Sequence, residues 1–185
     1  MVTNDETVGL KEYLSGFRSI HNEDVERFIK EKALDFSAQS VARTHLVLLE
    51  KGDFLGYFTL AHKILQVPAK LLSKNLEKKV SRFGRLDERS ESYSLPLPLI
   101  AQLGKNYAAG LKETIDGSIL LKLACDKVKR IQRDLGGKFT YVECEDKEPL
   151  ISFYTRNEFV RIDGGDPLKL YDTSKPYLVQ MIRLL

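Results

Sequence analysis

The stretch FYTRNEFV at residues 153–160 decides the fold of this chain. Pro149 stands shortly before it, and proline suits the first turn of a helix because its missing N–H would have no partner there. Asn157 is a residue type that adopts the left-handed conformation with which many helices end. The stretch therefore predicts a short helix that ends at Asn157, followed by a strand from Phe159 to Ile162.

Tyr154 is the residue of this helix that suggests chemistry. A tyrosine whose ring packs on a sheet while its hydroxyl reaches a cleft can donate a proton to a departing thiolate. Its ordinary pKa of about 10 keeps it protonated at neutral pH. The alternative is a half-buried tyrosine whose hydroxyl is satisfied within the protein. The residues alone leave both interpretations open.

The composition is that of an ordinary soluble protein, with 43% hydrophobic and 30% charged residues in 185. A net charge of +3, from 29 basic and 26 acidic side chains, is mild for a general nucleic-acid binder. Cys125 and Cys144 form no CxxC pair, and three scattered histidines give no zinc pattern. Without a signal-peptide pattern or an apolar run of about 18 residues, we expect a reduced, cytoplasmic protein that binds neither membrane nor metal.

The order of elements along the chain predicts the fold class. Helical spacing begins at Asn22, which with Glu23 and Asp24 supplies a cap and first-turn acids, and two apolar runs around Gly52 predict a hairpin of strands buried on both faces. The predicted elements are a helix at 22–36, the hairpin at 44–61, a strand at 99–104, a long helix from 116 to 135 with a stripe of Leu120, Leu123, Ala124, Val128, Ile131 and Leu135, and strands at 139–144, 159–162 and 177–185. This order predicts a single α/β (α+β) domain over residues 1–185, with a mixed, mostly antiparallel central sheet flanked by helices.

Residues 66–94 form an insertion of different character, with seven bases against four acids. We expect a short amphipathic helix followed by a polar loop, with Pro96 and Pro98 preceding the strand at Leu99. The basic residues are either a solvated helix face or a rim for an acidic or RNA-linked substrate.

The start of the long helix, at Asp116 and Gly117, is a candidate anion site. Free N–H groups and the positive end of the helix dipole attract phosphate, and a glycine lets it approach the backbone. A cap or a packing role is the alternative for this glycine.

Two segments resemble the GNAT superfamily of acetyl-CoA-dependent N-acetyltransferases. The run PLISFYTRNEF at 149–159 is similar to the family's "A…FYxxxGF" segment, and GSILLKLA at 117–124 is similar to its acetyl-CoA-binding helix start. The order of elements from Val25 to Leu185 also agrees, so that the resemblance covers most of the chain.

The resemblance implies acetyl-CoA as co-substrate, in a cradle where two neighbouring strands splay apart. Pantetheine would lie along 102–107, and the pyrophosphate would meet the backbone of 112–117. The implied cofactor-binding residues are Gln102, Leu103, Gly104, Lys105, Asn106, Lys112, Ile115, Asp116, Gly117, Ser118 and Tyr154. Tyr154 would be the general acid, and Glu143 or Glu145 would be the base unless either is a surface strand residue.

The phosphate loop departs from the family pattern. It reads KETIDG at 112–117, so that Lys112 replaces the usual first residue, and Ile115 and Asp116 would crowd or repel an anion. The resemblance implies acetyl transfer to a primary amine, of a small molecule or a macromolecule, in a ternary complex. It also extends to the GNAT toxins that acetylate aminoacyl-tRNA.

The departure keeps a non-catalytic GNAT-like binding or regulatory module as the alternative. His62 is a further candidate for the amine site, against a core or rim role. Whether the chain forms a homodimer is left open.

Overall fold

A computed structural model describes residues 4–108, 110–111, 115–162 and 178–185, with side chains from residue 8 onward. The helices are α1 (Asn4–Ser15), α2 (Glu23–Arg27), a π-helical turn (Phe28–Lys32), α3 (Ala33–Ala38), a 3₁₀ turn (Ala69–Leu71), α4 (Lys74–Val80), α5 (Gly117–Leu135) and α6 (Glu148–Arg156). The strands are β1 (Ala42–Leu48), β2 (Phe54–Pro68), β3 (Arg85–Asp87), β4 (Ser92–Lys105), β5 (Phe139–Glu145), β6 (Val160–Arg161) and β7 (Leu178–Leu184).

The strands form one seven-stranded sheet in the order β1-β2-β4-β5-β7-β6, and β3 pairs with β4. Among the pairings with a described register, β4 and β5 run parallel, with Leu99 opposite Tyr141, and the others are antiparallel. The mixed, mostly antiparallel sheet expected from the sequence is therefore confirmed. The prediction that both strands of the hairpin are buried on both faces is confirmed for Phe54–Leu60 of β2. It is wrong for β1, which is an edge strand and is partly exposed.

The N-terminal helices differ from the single helix predicted over 22–36. The side chain of Asn22 accepts hydrogen bonds from the N–H groups of Asp24 and Val25, which confirms the predicted cap. The helix then passes through the π-helical turn before α3, and α1 was not predicted at all. A π turn inserts one extra residue and re-aims the side chains that follow it.

The insertion is more ordered than its sequence suggests. The expected amphipathic helix is α4, but the expected polar loop is a hairpin in which Arg85 lies opposite Ser94. Strand β4 begins at Ser92, so that Pro96 and Pro98 lie inside it rather than before it. Because the described pairing with β3 stops at Ser94, the missing proline N–H groups interrupt none of those β3 hydrogen bonds.

Helix α5 has the predicted bounds but a rotated buried side. Leu120, Ala124 and Val128 are buried as predicted, whereas Leu123 is 39% and Leu135 is 80% exposed. Leu121 and Cys125 are buried in their place, because α5 packs through the row of residues on the other flank of the stripe. Gly136 and Gly137 follow the helix with φ of 81° and 92°, as a helix end requires.

The chain packs as two compact units. The first comprises Met1–Ala61 and Ala101–Ala124, and the second comprises His62–Ile100 and Cys125–Leu185. The core of the first unit joins the helical segment to β2 through Leu14, Phe17, Ile29, Ala33, Phe54 and Tyr57. In the second unit the buried core includes Phe139, Tyr141, Val142, Val179 and Met181. None of the described helices is both long and apolar enough to cross a membrane.

Candidate active site

The last four residues of β4 and the residue after it, all in the first unit, are five of the predicted cofactor-binding residues. Gly104 is in tight contact with the core, since an added Cβ would lie 2.5 Å from the Tyr57 ring, 2.7 Å from Val25 and 3.0 Å from the Phe17 ring. No side chain fits there. Packing therefore accounts for the glycine, and any contact with a cofactor would come from its backbone.

Gln102 lies two residues earlier, on the same face of β4 as Gly104. It lines a polar pocket of about 270 Å³. The other lining residues, from α2 and the π turn, are Asp24, Arg27, Phe28 and Lys32. Of the two basic residues that line the pocket, Arg27 forms an ion pair with Asp24. The ammonium of the other, Lys32, has no carboxylate partner among the described residues.

Asn106, directly after β4, is buried, and both its side chain and its own N–H form hydrogen bonds. Its Oδ1 accepts from the N–H groups of Arg18 and Ala108, both at 3.0 Å, and its Nδ2 donates to the carbonyl of Phe54 at 2.8 Å. Its own N–H donates to Leu55. The side chain thus ties three segments of the first unit together, which gives Asn106 a structural role at the end of β4.

Lys105 and Leu103 lie on the opposite face of β4 from Gly104 and are half-buried. The Lys105 ammonium lies 5.2 Å from the centre of the Tyr107 ring, a cation–π distance. The Tyr107 ring is in turn edge-on to His21, at 5.2 Å. A positive charge is thereby held next to an aromatic ring at the end of β4.

The start of α5 is capped by its own acid. The Ser118 N–H donates to Oδ1 of Asp116 at 2.6 Å, and the Leu120 N–H donates to the Asp116 carbonyl. Ile115 is buried and therefore does not crowd the helix end as its sequence position suggested. Gly117 is the first residue of α5. Lys112 lies outside the described residues.

Tyr154 lies in α6, in the second unit, and the end of that helix is a Schellman motif. The Phe159 N–H donates to the Tyr154 carbonyl and the Glu158 N–H to the Thr155 carbonyl, both at 3.0 Å. The left-handed residue is Glu158, with φ of 66°, and not Asn157, whose φ is −97°. Asn157 instead uses its side-chain amide to cap Phe153, so that the predicted stop is displaced by one residue.

The Tyr154 side chain is only 9% exposed and lies between two phenylalanine rings. Phe153 is 5.1 Å away and Phe159 is 5.6 Å away, both edge-on. Burial raises the pKa of Tyr154 far above its ordinary value, and the thiols of Cys144 and Cys125 raise it further. The hydroxyl is therefore neutral across the physiological pH range.

Arg183 of β7 is a residue that the sequence did not single out. Its guanidinium pairs with Glu158, lies 5.9 Å from the Phe159 ring centre and contacts the Cys125 sulfur at 3.7 Å. Burial raises the pKa of Cys125 despite this arginine, which keeps the thiol un-ionised. Arg183 thus holds the last turn after α6, and with it the position of Tyr154.

The two glutamates suggested as bases are both in ion pairs. Glu143 accepts from the Lys63 ammonium through both oxygens, at 2.9 and 3.1 Å, and its side chain is 17% exposed. Glu145 pairs with Lys147 at 2.9 Å and is more exposed. Glu143 is the more enclosed of the two, whereas His62 is exposed.

Similar proteins have been solved by crystallography and related methods. AtaT complexed with acetyl-methionyl-tRNAfMet has a TM-score of 0.61 and 18% identity, over 90% of this chain and 85% of that chain. A tyrosine-to-phenylalanine mutant of KacT has a TM-score of 0.62 and 19% identity, over 97% and 91%. AtaTR bound with AcCoA has a TM-score of 0.56 and 17% identity, over 92% and 84%.

No sequence profile of a known family and no curated protein sequence matches the chain. At these identities the likeness concerns the fold. AtaT and KacT are toxins with the GNAT acetyltransferase fold. The GNAT-like fold expected from the sequence of this chain is therefore confirmed.

Proposed function

We propose that this chain is an acetyl-CoA-dependent N-acetyltransferase whose acceptor is the amino group of an aminoacyl-tRNA. The observation that carries the proposal is Tyr154, a buried tyrosine in the helix after β5, in a fold shared with AtaT and KacT. AtaT has been solved with acetyl-methionyl-tRNAfMet, and AtaTR with AcCoA. Tyrosine-to-phenylalanine mutants are among the solved structures of both AtaT and KacT.

In the proposed reaction the amine nitrogen attacks the acetyl carbonyl carbon, and the carbon–sulfur bond of acetyl-CoA breaks. The amine loses one proton, which Glu143 or a water molecule accepts, and the sulfur departs as a thiolate that takes up one proton from solvent. The Lys63 ammonium contacts both oxygens of Glu143, at 2.9 and 3.1 Å, and so fixes the position of this side chain.

The raised pKa of Tyr154 bears on how it assists the sulfur. A thiol has an ordinary pKa of about 8.5, so that full proton transfer from a phenol with a pKa above 10 is unfavourable. Tyr154 would therefore act first as a hydrogen-bond donor that stabilises the negative charge developing on sulfur. Such stabilisation requires only that the hydroxyl stay protonated, and burial ensures it.

The cofactor would take its phosphate contacts from the start of α5, where Gly117 and Ser118 lie. Asp116 works against this role, because its carboxylate already accepts the Ser118 N–H. That observation favours the second candidate, a GNAT-like module that does not catalyse. The two candidates differ in whether acetyl-CoA binds and is consumed.

Incubating the purified chain with radiolabelled acetyl-CoA and methionyl-tRNA distinguishes them. We expect label on the charged tRNA, none on deacylated tRNA, and free thiol in equal amount. A chain that does not bind acetyl-CoA at millimolar concentration, by calorimetry, is not this enzyme. Binding with transfer only to small amines would retain the acetyltransferase and reject the RNA acceptor.

A further inference from the structure

Helix α4 and the turn after it present a row of positive charges, which we call the α4 row: Lys74, Lys78 and Arg82. All three side chains are exposed. They recur every fourth residue, which places them on one side of a helix, about 6 Å apart along its axis. The turn carries the helical path past the end of α4, because the Arg82 N–H donates to the Lys79 carbonyl.

The opposite side of this segment is fixed to the second unit. Val80 is fully buried, Leu76 is half-buried, and the Phe83 ring packs edge-on against Phe139 at 5.7 Å. On a helical wheel, Leu76, Val80 and Phe83 lie together, across from the α4 row. The apolar side anchors the helix, and the basic side is held toward solvent.

The charges of the α4 row are not neutralised locally. None of the three forms an ion pair with another residue in the described parts of the chain. Two of the four acids at residues 66–94 have other contacts: Glu77 accepts from the Tyr93 hydroxyl at 3.3 Å, and Asp87 accepts from the Arg89 N–H at 3.0 Å within its own turn.

We propose that the α4 row binds the phosphate backbone of RNA, and so holds the acceptor that the proposed function requires. An evenly spaced row of cations is complementary to a regular polyanion. A membrane-binding helix exposes its apolar side, which in α4 is docked. Phe83, the aromatic ring of this turn, is already packed on Phe139 and lies opposite the row, so the contacts are to phosphate rather than to unstacked bases.

The test measures binding of deacylated tRNA by fluorescence anisotropy between 50 and 200 mM salt. The variant replaces all three residues of the α4 row with glutamine, which has a similar helix propensity. A matched control replaces three exposed bases of α5, Lys129, Arg130 and Arg133, in the same way, so that the change in net charge is equal. Thermal melts show that both variants are folded.

Each lost phosphate contact makes the slope of log affinity against log salt shallower by about 0.7–0.9. We expect the α4 variant to lose about 2–3 units of slope, and the control to keep the wild-type slope. An unchanged slope in the α4 variant, or an equal loss in both variants, overturns the proposal. The proposal is also overturned if the α4 variant still binds tRNA but no longer binds poly-glutamate or phosphatidylserine vesicles. Loss of poly-glutamate binding would identify a protein partner, and loss of vesicle binding would identify a membrane.

The outcome is separable from that of the proposed function. Binding of tRNA through the α4 row without acetylation would reject the enzyme and keep the RNA surface. Acetylation of methionyl-tRNA, together with unchanged tRNA binding in the α4 variant, would keep the enzyme and reject the RNA surface.

Discussion

The hydrogen bonds of Asn106 make a quantitative prediction about the stability of the chain. Replacing it with alanine removes two acceptor contacts, to Arg18 and Ala108, and one donor contact, to Phe54. The Phe54 bond is buried, and an unpaired buried carbonyl costs about 1–3 kcal/mol. The two half-buried N–H groups add about 0.5–1.5 kcal/mol each.

We therefore expect Asn106→Ala to lower the free energy of unfolding by about 2–6 kcal/mol. With a urea dependence of about 2 kcal/mol/M, the midpoint of urea unfolding falls by about 1–3 M. Asn75→Ala, at an exposed position of α4, is the control and should change the free energy by less than about 0.5 kcal/mol.

Asn106→Asp separates the donor from the acceptors. The carboxylate can still accept from Arg18 and Ala108, but it repels the Phe54 carbonyl. A protonated carboxyl can donate to that carbonyl, so the deficit should shrink as the pH is lowered from 7 to 4. A loss below 1 kcal/mol for Asn106→Ala, or a deficit in Asn106→Asp that does not depend on pH, would show that these hydrogen bonds do not stabilise the fold.

Three further predictions follow from packing and charge. Gly104→Ala, whose Cβ would meet three side chains at 2.5–3.0 Å, should destabilise by about 1–3 kcal/mol in urea unfolding, whereas Gly9→Ala, in open space in α1, should stabilise by up to about 1 kcal/mol. Burial raises the pKa of Tyr57 and Tyr154 above the unfolded value of about 10. The two tyrosines therefore contribute fully to the free energy of unfolding below pH 10, and this contribution is lost as the pH rises above 10. Tyr154→Phe should make the decline of the unfolding free energy between pH 9 and 11 less steep. Asp116→Asn keeps the helix cap but removes its negative charge, so that calorimetry should show acetyl-CoA binding two- to fivefold tighter, which is about 0.4–1 kcal/mol. An unchanged affinity would count against a phosphate site at the start of α5.

Local signals predicted the elements where one residue type decides the backbone. Asn22 caps a helix, Gly136 ends one, and Pro149 begins one, as their conformational preferences require. The same preferences failed for Pro96 and Pro98. Both prolines lie inside β4 beyond Ser94, where the described pairing with β3 ends, and the place where a neighbouring strand stops pairing has no local signature in the sequence.

The candidate site divides in the same way. Tyr154 could be singled out because its segment resembles a known one, but its surroundings could not. Glu158 takes the left-handed position beside it and pairs with Arg183, which is 25 residues further along the chain. Gly104 shows the converse, since its position in the sequence suggested a cofactor and its contacts indicate packing.

The proposed function depends above all on Tyr154, which would assist acetyl transfer from acetyl-CoA. The most direct test compares Tyr154→Phe with the wild type in acetyl-CoA affinity and in single-turnover acetylation of methionyl-tRNA. We predict an unchanged Kd for acetyl-CoA and a rate lower by about 10²–10³-fold. Equal rates for the two proteins would rule out this role of Tyr154, and the absence of acetyl-CoA binding in both would rule out the proposed enzyme.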